Sequence, residues 1–244
     1  MTTPKRDTPG TEENDKKILV AGSLSQEQVH DSATRRVELI TKEFSEGFEF
    51  LEDYPKTVTV FGSSMITENS PFYEMARSLC KKIAGIDYSV ITGGGPGIME
   101  AANRGAFEAH GRSLGITIKL PHEQTTNSYV TDKIALTYFF ARKVCLSFSA
   151  EAYIFFPGGF GTLDEFFEIL TLVQTKKVES VPIILVGSEY WRPLEKFILN
   201  EVLSRGMIDS EDMNLFFIED NEQKILDIIQ KSPIRNGVKY DHSE

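Results

Sequence analysis

Two glycine-rich segments carry the residues of this sequence that could do chemistry. They are Thr92-Gly93-Gly94-Gly95-Pro96-Gly97-Ile98-Met99-Glu100 and Pro157-Gly158-Gly159-Phe160-Gly161-Thr162-Leu163-Asp164-Glu165. Each follows an apolar run and precedes a helical pattern, so backbone N–H groups are expected at the positive end of a helix dipole. Such an arrangement binds anions, phosphate above all. Two of them in one domain predict a phosphorylated ligand held between them.

Neither segment matches a common nucleotide-binding loop. The first lacks the Gly-Lys-Ser/Thr ending of a P-loop, and the second lacks the third glycine of the dinucleotide fingerprint. A conventional ATP or NAD site is therefore disfavoured. Glycines also serve tight turns, but those of the first segment exceed what a turn requires, which favours phosphate binding. Glu100 has a simpler interpretation, because an acidic residue in a first helical turn complements the helix dipole.

Glu165 has two interpretations on the residues alone. Thr162-x-x-Glu165 fits a capping box, in which the glutamate would only satisfy a backbone N–H group. However, this carboxylate adjoins an anion-binding segment and would repel a phosphate unless it faced another part of the ligand. A carboxylate set along from the phosphate suits work at a sugar carbon. The pair Arg142-Lys143 is similarly open, since it could be a solvated pair on a helix surface.

Alternating strand and helix patterns predict the elements that position these residues. Strands are predicted at 57–61, 88–91, 113–120, 152–156, 182–186 and 215–218. Helices are predicted at 71–84, 96–109, 139–149, from the second glycine segment to 177, 191–204 and 222–230, with a loop at 121–131. This alternation indicates an α/β fold, a Rossmann-like doubly wound parallel sheet with helices on both faces. Ligands bind beyond the carboxyl ends of such strands, where both glycine segments lie.

The predicted organisation is a single domain with additions at both ends. We expect disorder over 1–17, a helical extension over 18–54, a nucleotide-binding catalytic domain over 55–231 and a loose tail over 232–244. Within the extension, Ser25-x-x-Gln28 fits a capping box. An apolar stripe at helical spacing follows and is expected to pack on the main domain or on a second subunit: Val29, Ala33, Val37, Ile40, Phe44, Phe48 and Leu51.

Composition argues against several classes of function. The formal net charge is -10 and no long basic cluster occurs, so we expect no nucleic-acid partner. The polar start of the chain and the lack of a long apolar run predict a cytoplasmic protein without a membrane partner. Cys80 and Cys145 lie in apolar stretches typical of buried free thiols. Scattered histidines show no metal spacing, so neither a metal nor another cofactor is expected.

Together the two glycine segments resemble those of the Lonely Guy family, cytokinin riboside 5′-monophosphate phosphoribohydrolases long mislabelled lysine decarboxylases. The resemblance covers about residues 57–230, and its specific motif, Pro-Gly-Gly-x-Gly-Thr-x-x-Glu, matches 157–165 without a gap. It implies hydrolysis of the N-glycosidic bond of a nucleoside 5′-monophosphate, with a purine base and ribose 5-phosphate as products. It also implies a homodimer or higher homo-oligomer, with the active site near the subunit interface.

The resemblance also implies site residues. The catalytic pair would be Arg142 and Glu165, in roles that the sequence leaves open. Substrate contacts would be Gly93, Gly94, Gly95, Gly97, Glu123, Lys143, Gly158, Gly159, Phe160, Gly161, Thr162, Leu163, Asp164 and Thr171. The long N-terminal helix and Glu100-Ala101-Ala102-Asn103 resemble the larger bacterial branch of the family rather than the short plant form.

Two alternatives to a cytokinin-specific enzyme remain at this point. One is a general AMP or purine-nucleotide nucleosidase. The other is a carrier that binds a nucleotide or cofactor without catalysis, although the presence of both Arg142 and Glu165 argues against it. The old decarboxylase label is disfavoured, since no lysine stands out as a Schiff-base partner for pyridoxal phosphate.

Overall fold

A seven-stranded parallel sheet organises this chain, whose computed structural model describes residues 26–119 and 126–232. The strands are β1 (Thr57–Phe61), β2 (Ser89–Thr92), β3 (Ser113–Ile118), β4 (Asp132–Leu136), β5 (Ala152–Phe155), β6 (Ile183–Leu185) and β7 (Phe217–Ile218). The helices are α1 (Gln26–Glu52), α2 (Pro71–Gly85), α3 (Ile98–Glu108), α4 (Phe139–Phe148), α5 (Phe160–Gln174), α6 (Ser188–Phe197) and α7 (Glu222–Lys231). A π-helical segment (Ile198–Leu203) continues α6, and a 3-10 helix (Ser210–Asn214) precedes β7.

The strand order is β4-β3-β2-β1-β5-β6-β7, and every neighbouring pair is parallel. The chain runs outward from β1 to one edge, then returns to β5 and runs to the other edge. This reversal makes the β1–β5 junction the topological switch point, where open α/β sheets leave a crevice for ligands. Phe61 pairs with Phe155 at the carboxyl end of these two strands. The predicted doubly wound parallel sheet is confirmed.

Central strands are apolar because helices cover both of their faces. Val58, Val60 and Ile154 pack into one buried cluster with α2, α3 and α7. Phe61 and Phe155 belong to the opposite cluster, which includes buried residues of α4, α5 and α6. Burial of each large side chain contributes about 1.5–3 kcal/mol, so the two layers together hold the sheet in place.

Strand β4 was not predicted. Its sequence, Asp132-Lys-Ile-Ala-Leu136, carries charge and is mostly exposed, because the strand lies at the sheet edge and pairs only with β3. An edge strand lacks the continuous apolar run that identifies buried parallel strands. Several helix bounds also differ from prediction. Pro96 precedes α3 instead of starting it, α5 ends at Gln174, and α6 begins at Ser188 instead of residue 191.

The N-terminal helix α1 extends from Gln26 to Glu52, and the chain divides into two compact units within it, between Glu38 and Leu39. In the second unit, Phe44 and Leu51 pack against the cluster that contains α4 and α5. The predicted capping box at Ser25, the predicted disorder over 1–17 and most of the predicted tail lie outside the described residues. In the part of the chain that the structure describes, no helix combines the length and apolarity needed to cross a bilayer.

Candidate functional site

The two glycine segments flank the turn that follows β1. Its Ser63 N–H donates to the Pro157 carbonyl (3.0 Å), and the Ser63 carbonyl accepts from the Ile98 N–H (3.0 Å). One serine backbone thus connects the start of the second segment to the start of α3. Because β1 lies between β2 and β5, both segments meet at the carboxyl edge of the sheet, beside the switch point.

The first segment is fixed by its own hydrogen bonds. Thr92 Oγ1 accepts from the Gly94 N–H (2.9 Å) and donates to Oδ1 of the buried Asn103 (2.6 Å). Asn127 N–H donates to the Gly94 carbonyl (2.9 Å). Gly97, the N-cap of α3, has φ of +72°, and a Cβ there would overlap the Ser63 carbonyl. Gly97 is therefore needed by the fold itself, whatever it binds.

Arg142 lies against the first segment. It is the fourth residue of α4, and its Nε donates to the carbonyl of Ile116 within β3 (2.8 Å). A Cβ at Gly93 would overlap Arg142 Nη2, so the guanidinium is in direct contact with the glycine backbone. Burial lowers the pKa of Arg142 from its ordinary value, and the charge of Glu165 opposes that shift. This places a desolvated cation beside a candidate phosphate cradle.

Glu165 is not part of a helix cap. The N-cap of α5 is Gly159, so Thr162 is the third helical residue and the capping box suggested by Thr162-x-x-Glu165 is wrong. Within the described residues, the buried Oε2 of Glu165 has no hydrogen-bond partner. Burial raises the pKa of Glu165 from 4.5 to about 7, while Lys143 opposes the rise and Glu168 adds to it. A carboxyl group poised near neutral pH suits a general base or a nucleophile.

The second segment has open space around two of its glycines. An added Cβ at Gly159 or Gly161 would meet nothing within 4 Å, and Phe160 is 93% exposed. Tyr190 Oη donates to the Gly158 carbonyl (2.6 Å), which ties the segment to α6. This part of the motif is therefore fixed by a hydrogen bond to α6, while Gly159, Phe160 and Gly161 remain accessible to a ligand.

Some of the substrate contacts that the family resemblance implies are not found beside Arg142 and Glu165 in the described part of the chain. The Thr171 hydroxyl donates to the Phe167 carbonyl of its own helix (2.7 Å), and no described contact connects it to Arg142 or Glu165. Glu123 lies outside the described residues. Glu100 accepts from the Tyr73 hydroxyl (3.0 Å), which is consistent with a structural role at the start of α3.

Glu168 was missed from the sequence. Its Oε2 lies 2.6 Å from Lys143 Nζ, and Lys143 also contacts Asp164 Oδ2 at 2.7 Å. Glu168 is three positions after Glu165, which puts both on one side of α5. That spacing was the available signal, but only the fold shows which cation lies opposite.

Glu43 was missed as well. This buried carboxylate of α1 accepts from the N–H groups of Thr137 (2.6 Å) and Tyr138 (3.0 Å), at the start of α4. Burial alone would raise its pKa, but the hydrogen bonds from Tyr138 and Thr137 outweigh burial and lower it. Glu43 thereby fixes from α1 the backbone immediately before α4, the helix that carries Arg142.

We expect Gly93→Ala to impair function more than stability. The new methyl group would displace the end of the flexible Arg142 side chain, without overlapping backbone atoms. A displacement of about 1 Å at a catalytic group can cost about 10²-fold in rate. Steady-state kinetics and thermal unfolding would measure both effects. Gly85→Ala, where a Cβ meets nothing within 4 Å, is the matched control; normal activity in Gly93→Ala would show that Arg142 need not occupy this position.

Comparisons with known proteins identify a family and several relatives of this chain. The family model described as "Possible lysine decarboxylase" matches residues 99–229, more than half of the chain. A cytokinin riboside 5′-monophosphate phosphoribohydrolase of Rhodococcoides fascians is 28% identical over 150 residues, 59% of this chain and 74% of the relative. A pyrimidine/purine nucleotide 5′-monophosphate nucleosidase of Escherichia coli K12 is 29% identical over 160 residues, 60% of this chain and 35% of the relative.

The fold also has solved counterparts. The molybdenum cofactor carrier protein of Chlamydomonas reinhardtii superposes with a TM-score of 0.54 at 24% identity, covering 72% of this chain and 96% of the carrier. That likeness concerns the fold alone. The family match and the uninterrupted motif at 157–165 show that this chain belongs to the Lonely Guy family, whose model carries the lysine decarboxylase description.

Proposed function

We propose that this chain hydrolyses the N-glycosidic bond of a nucleoside 5′-monophosphate, releasing a purine base and ribose 5-phosphate. The observation that carries the proposal is Glu165, a carboxyl group with a buried oxygen that has no described hydrogen-bond partner and a pKa of about 7. It projects from the helix that begins at one glycine segment, while Arg142 contacts the other. The names of the two enzyme relatives support the same reaction class.

In this proposal the two glycine segments bind the 5′-phosphate through backbone N–H groups and the starts of α3 and α5. Glu123 and Thr171 are proposed as further substrate contacts only because the family resemblance implies them. Cleavage develops positive charge on the sugar, as in other glycosidic hydrolyses. The ionised Glu165 stabilises that charge and accepts the proton of the attacking water, or attacks carbon 1 directly. Arg142 holds the phosphate or ribose, or stabilises the leaving base.

Removal of the 5′-phosphate from the substrate should abolish most turnover. Two anion-binding segments would then have no ligand, and the binding energy that positions the sugar would be lost. We expect kcat/KM to fall by about 10²-fold or more for the nucleoside relative to its monophosphate. Released base, quantified by chromatography, gives both values. Equal cleavage of the two substrates would contradict the role of the glycine segments.

Activity should rise with pH through about 7. Glu165 must be ionised to act as base or nucleophile, and its pKa is raised to about 7. The active form is therefore lost as pH falls, by about tenfold per pH unit below the pKa. A profile of kcat/KM against pH would show this acid limb. A flat profile on the acid side of pH 7 would mean that another group carries the reaction.

Base preference is a finer question. One relative is named for a cytokinin nucleotide and another for pyrimidine and purine nucleotides in general, and this chain is similarly identical to both, at 28% and 29%. We propose an N6-substituted adenine nucleotide as the substrate, with AMP hydrolysis as the second candidate. A panel that includes AMP and its N6-isopentenyl form would separate them by released base and ribose 5-phosphate. Tight binding of these nucleotides with no product over long incubation would contradict the enzyme and favour a carrier.

In this proposal the assembly follows the family expectation, and the location follows the composition of the chain. The enzyme is a cytoplasmic homodimer or higher homo-oligomer, without nucleic-acid or membrane partners. Light scattering of the full chain, with and without nucleotide, would measure the assembly. A monomer that turns over substrate at the full rate would contradict the oligomeric part alone.

A further inference from the structure

Lys143 occupies an unusual place next to the proposed catalytic carboxyl group. Its Nζ lies 2.7 Å from Asp164 Oδ2 and 2.6 Å from Glu168 Oε2, and its side chain is 20% exposed. Asp164 precedes Glu165 by one position and Glu168 follows it by three. One ammonium group therefore bridges the two carboxylates that flank Glu165 on α5.

These contacts leave Lys143 poorly suited to bind a phosphate. An ammonium group has three N–H donors, and here carboxylates on both sides take up its charge. A phosphate brought to the same group would approach two carboxylates as well, which would repel it. Arg142, one position earlier, has no ion pair with a carboxylate in the described part of the chain and faces the first glycine segment instead.

Within the described residues, the largest charge effects on Glu165 come from two elements. The charges of Arg142 and Lys143 act on it from α4, and Asp164 and Glu168 flank it on α5. Without Lys143, only Arg142 would offset the charges of the two neighbouring carboxylates on Glu165. Like charges at this range disfavour the ionised form of a carboxyl group.

We propose that Lys143 is a positioning residue, which keeps Glu165 ionised by neutralising Asp164 and Glu168, and is not a ligand of the substrate phosphate. This inference rests on the proposed function only in taking Glu165 as the reacting group. It predicts opposite changes in the pKa of Glu165 when the two partners of the ion pair, Lys143 and Glu168, are replaced in turn. Loss of the lysine raises the pKa of Glu165, and loss of the Glu168 charge lowers it.

The direct test is a titration of the Glu165 carboxyl group by carbon-13 NMR in the full chain, assigned by the signal missing in Glu165→Gln. We expect Lys143→Met to raise the Glu165 midpoint by about one pH unit or more, and Glu168→Gln to lower it. The double variant should titrate closer to the wild type than Lys143→Met does. Lys143→Arg, which keeps the charge, should restore much of the midpoint, and Lys177→Met at an exposed lysine should leave it unchanged.

Kinetics separate a positioning role from substrate binding. We expect Lys143→Met to shift the acid limb of the kcat profile to higher pH by the same amount, with kcat recovering at alkaline pH. An unchanged Glu165 midpoint together with a raised KM would overturn the inference and make Lys143 a substrate ligand. If circular dichroism shows that Lys143→Met does not fold, the test rests on Glu168→Gln. A Glu165 midpoint that is not lowered in Glu168→Gln would also overturn the inference. If the NMR shifts occur but no nucleotide is hydrolysed, the inference stands and the proposed function fails.

Discussion

Glu165→Gln is expected to abolish turnover and leave the fold intact. The amide cannot accept the proton of water, attack carbon 1 or balance positive charge on the sugar, so a loss of about 10²–10⁴-fold in kcat is expected. Because α5 begins at Phe160 with Gly159 as its N-cap, the substitution removes no helix cap. Base release at pH 8 and circular dichroism would measure the two properties.

The free energy of unfolding of Glu165→Gln, relative to that of the wild type, should increase as pH rises. Burial raises the pKa of Glu165 from 4.5 to about 7, so the wild-type chain binds this proton more tightly when folded. The resulting stability is complete below pH 4.5 and is lost as pH rises through about 7. Glutamine does not ionise and escapes that loss. Denaturant unfolding at several pH values would measure it.

The control for Glu165→Gln is Glu179→Gln, which changes an exposed glutamate just beyond α5. It should retain wild-type kinetics. Activity in Glu165→Gln within a few-fold of wild type would refute the catalytic assignment of this residue, whatever its stability.

Arg142→Ala should cause the second-largest loss of kcat among these variants. Loss of one preorganised electrostatic group typically costs about 10²–10³-fold in kcat. The substitution also removes the hydrogen bond to the Ile116 carbonyl and vacates the space against Gly93. Arg142→Lys should recover little activity, because a lysine keeps the charge but has neither the Nε donor nor the planar fork. Initial rates with a nucleoside monophosphate would measure both variants.

Arg192→Ala is the control for loss of an arginine. Its guanidinium pairs with Glu195 on the surface of α6, and exposed pairs of this kind contribute about 0–1 kcal/mol. It should leave kcat unchanged. Full activity in Arg142→Lys would show that charge alone suffices, and full activity in Arg142→Ala would remove Arg142 from the mechanism.

The fold was largely predictable because its signals are local. Buried strands such as β5 are continuous apolar runs, and glycines mark the turns after β2 and β5. Strand β4 failed this test since an exposed edge strand needs little apolar character. The capping box suggested at Thr162 was wrong for a separate reason. A capping motif predicts a helix start only where the chain does not already begin the helix earlier, and here α5 begins at Phe160.

For the site, sequence alone determined the residue types and their placement on turns and helices, because turn chemistry and apolar periodicity depend on near neighbours. Tertiary structure decided what each charge does. The raised pKa of Glu165 depends on burial. The pairing of Lys143 with Glu168 and the hydrogen bonds of Glu43 to the backbone before α4 join residues distant in sequence. Desolvation and Coulomb interactions act through space, so these properties exist only once the sheet has brought α1, α4 and α5 together.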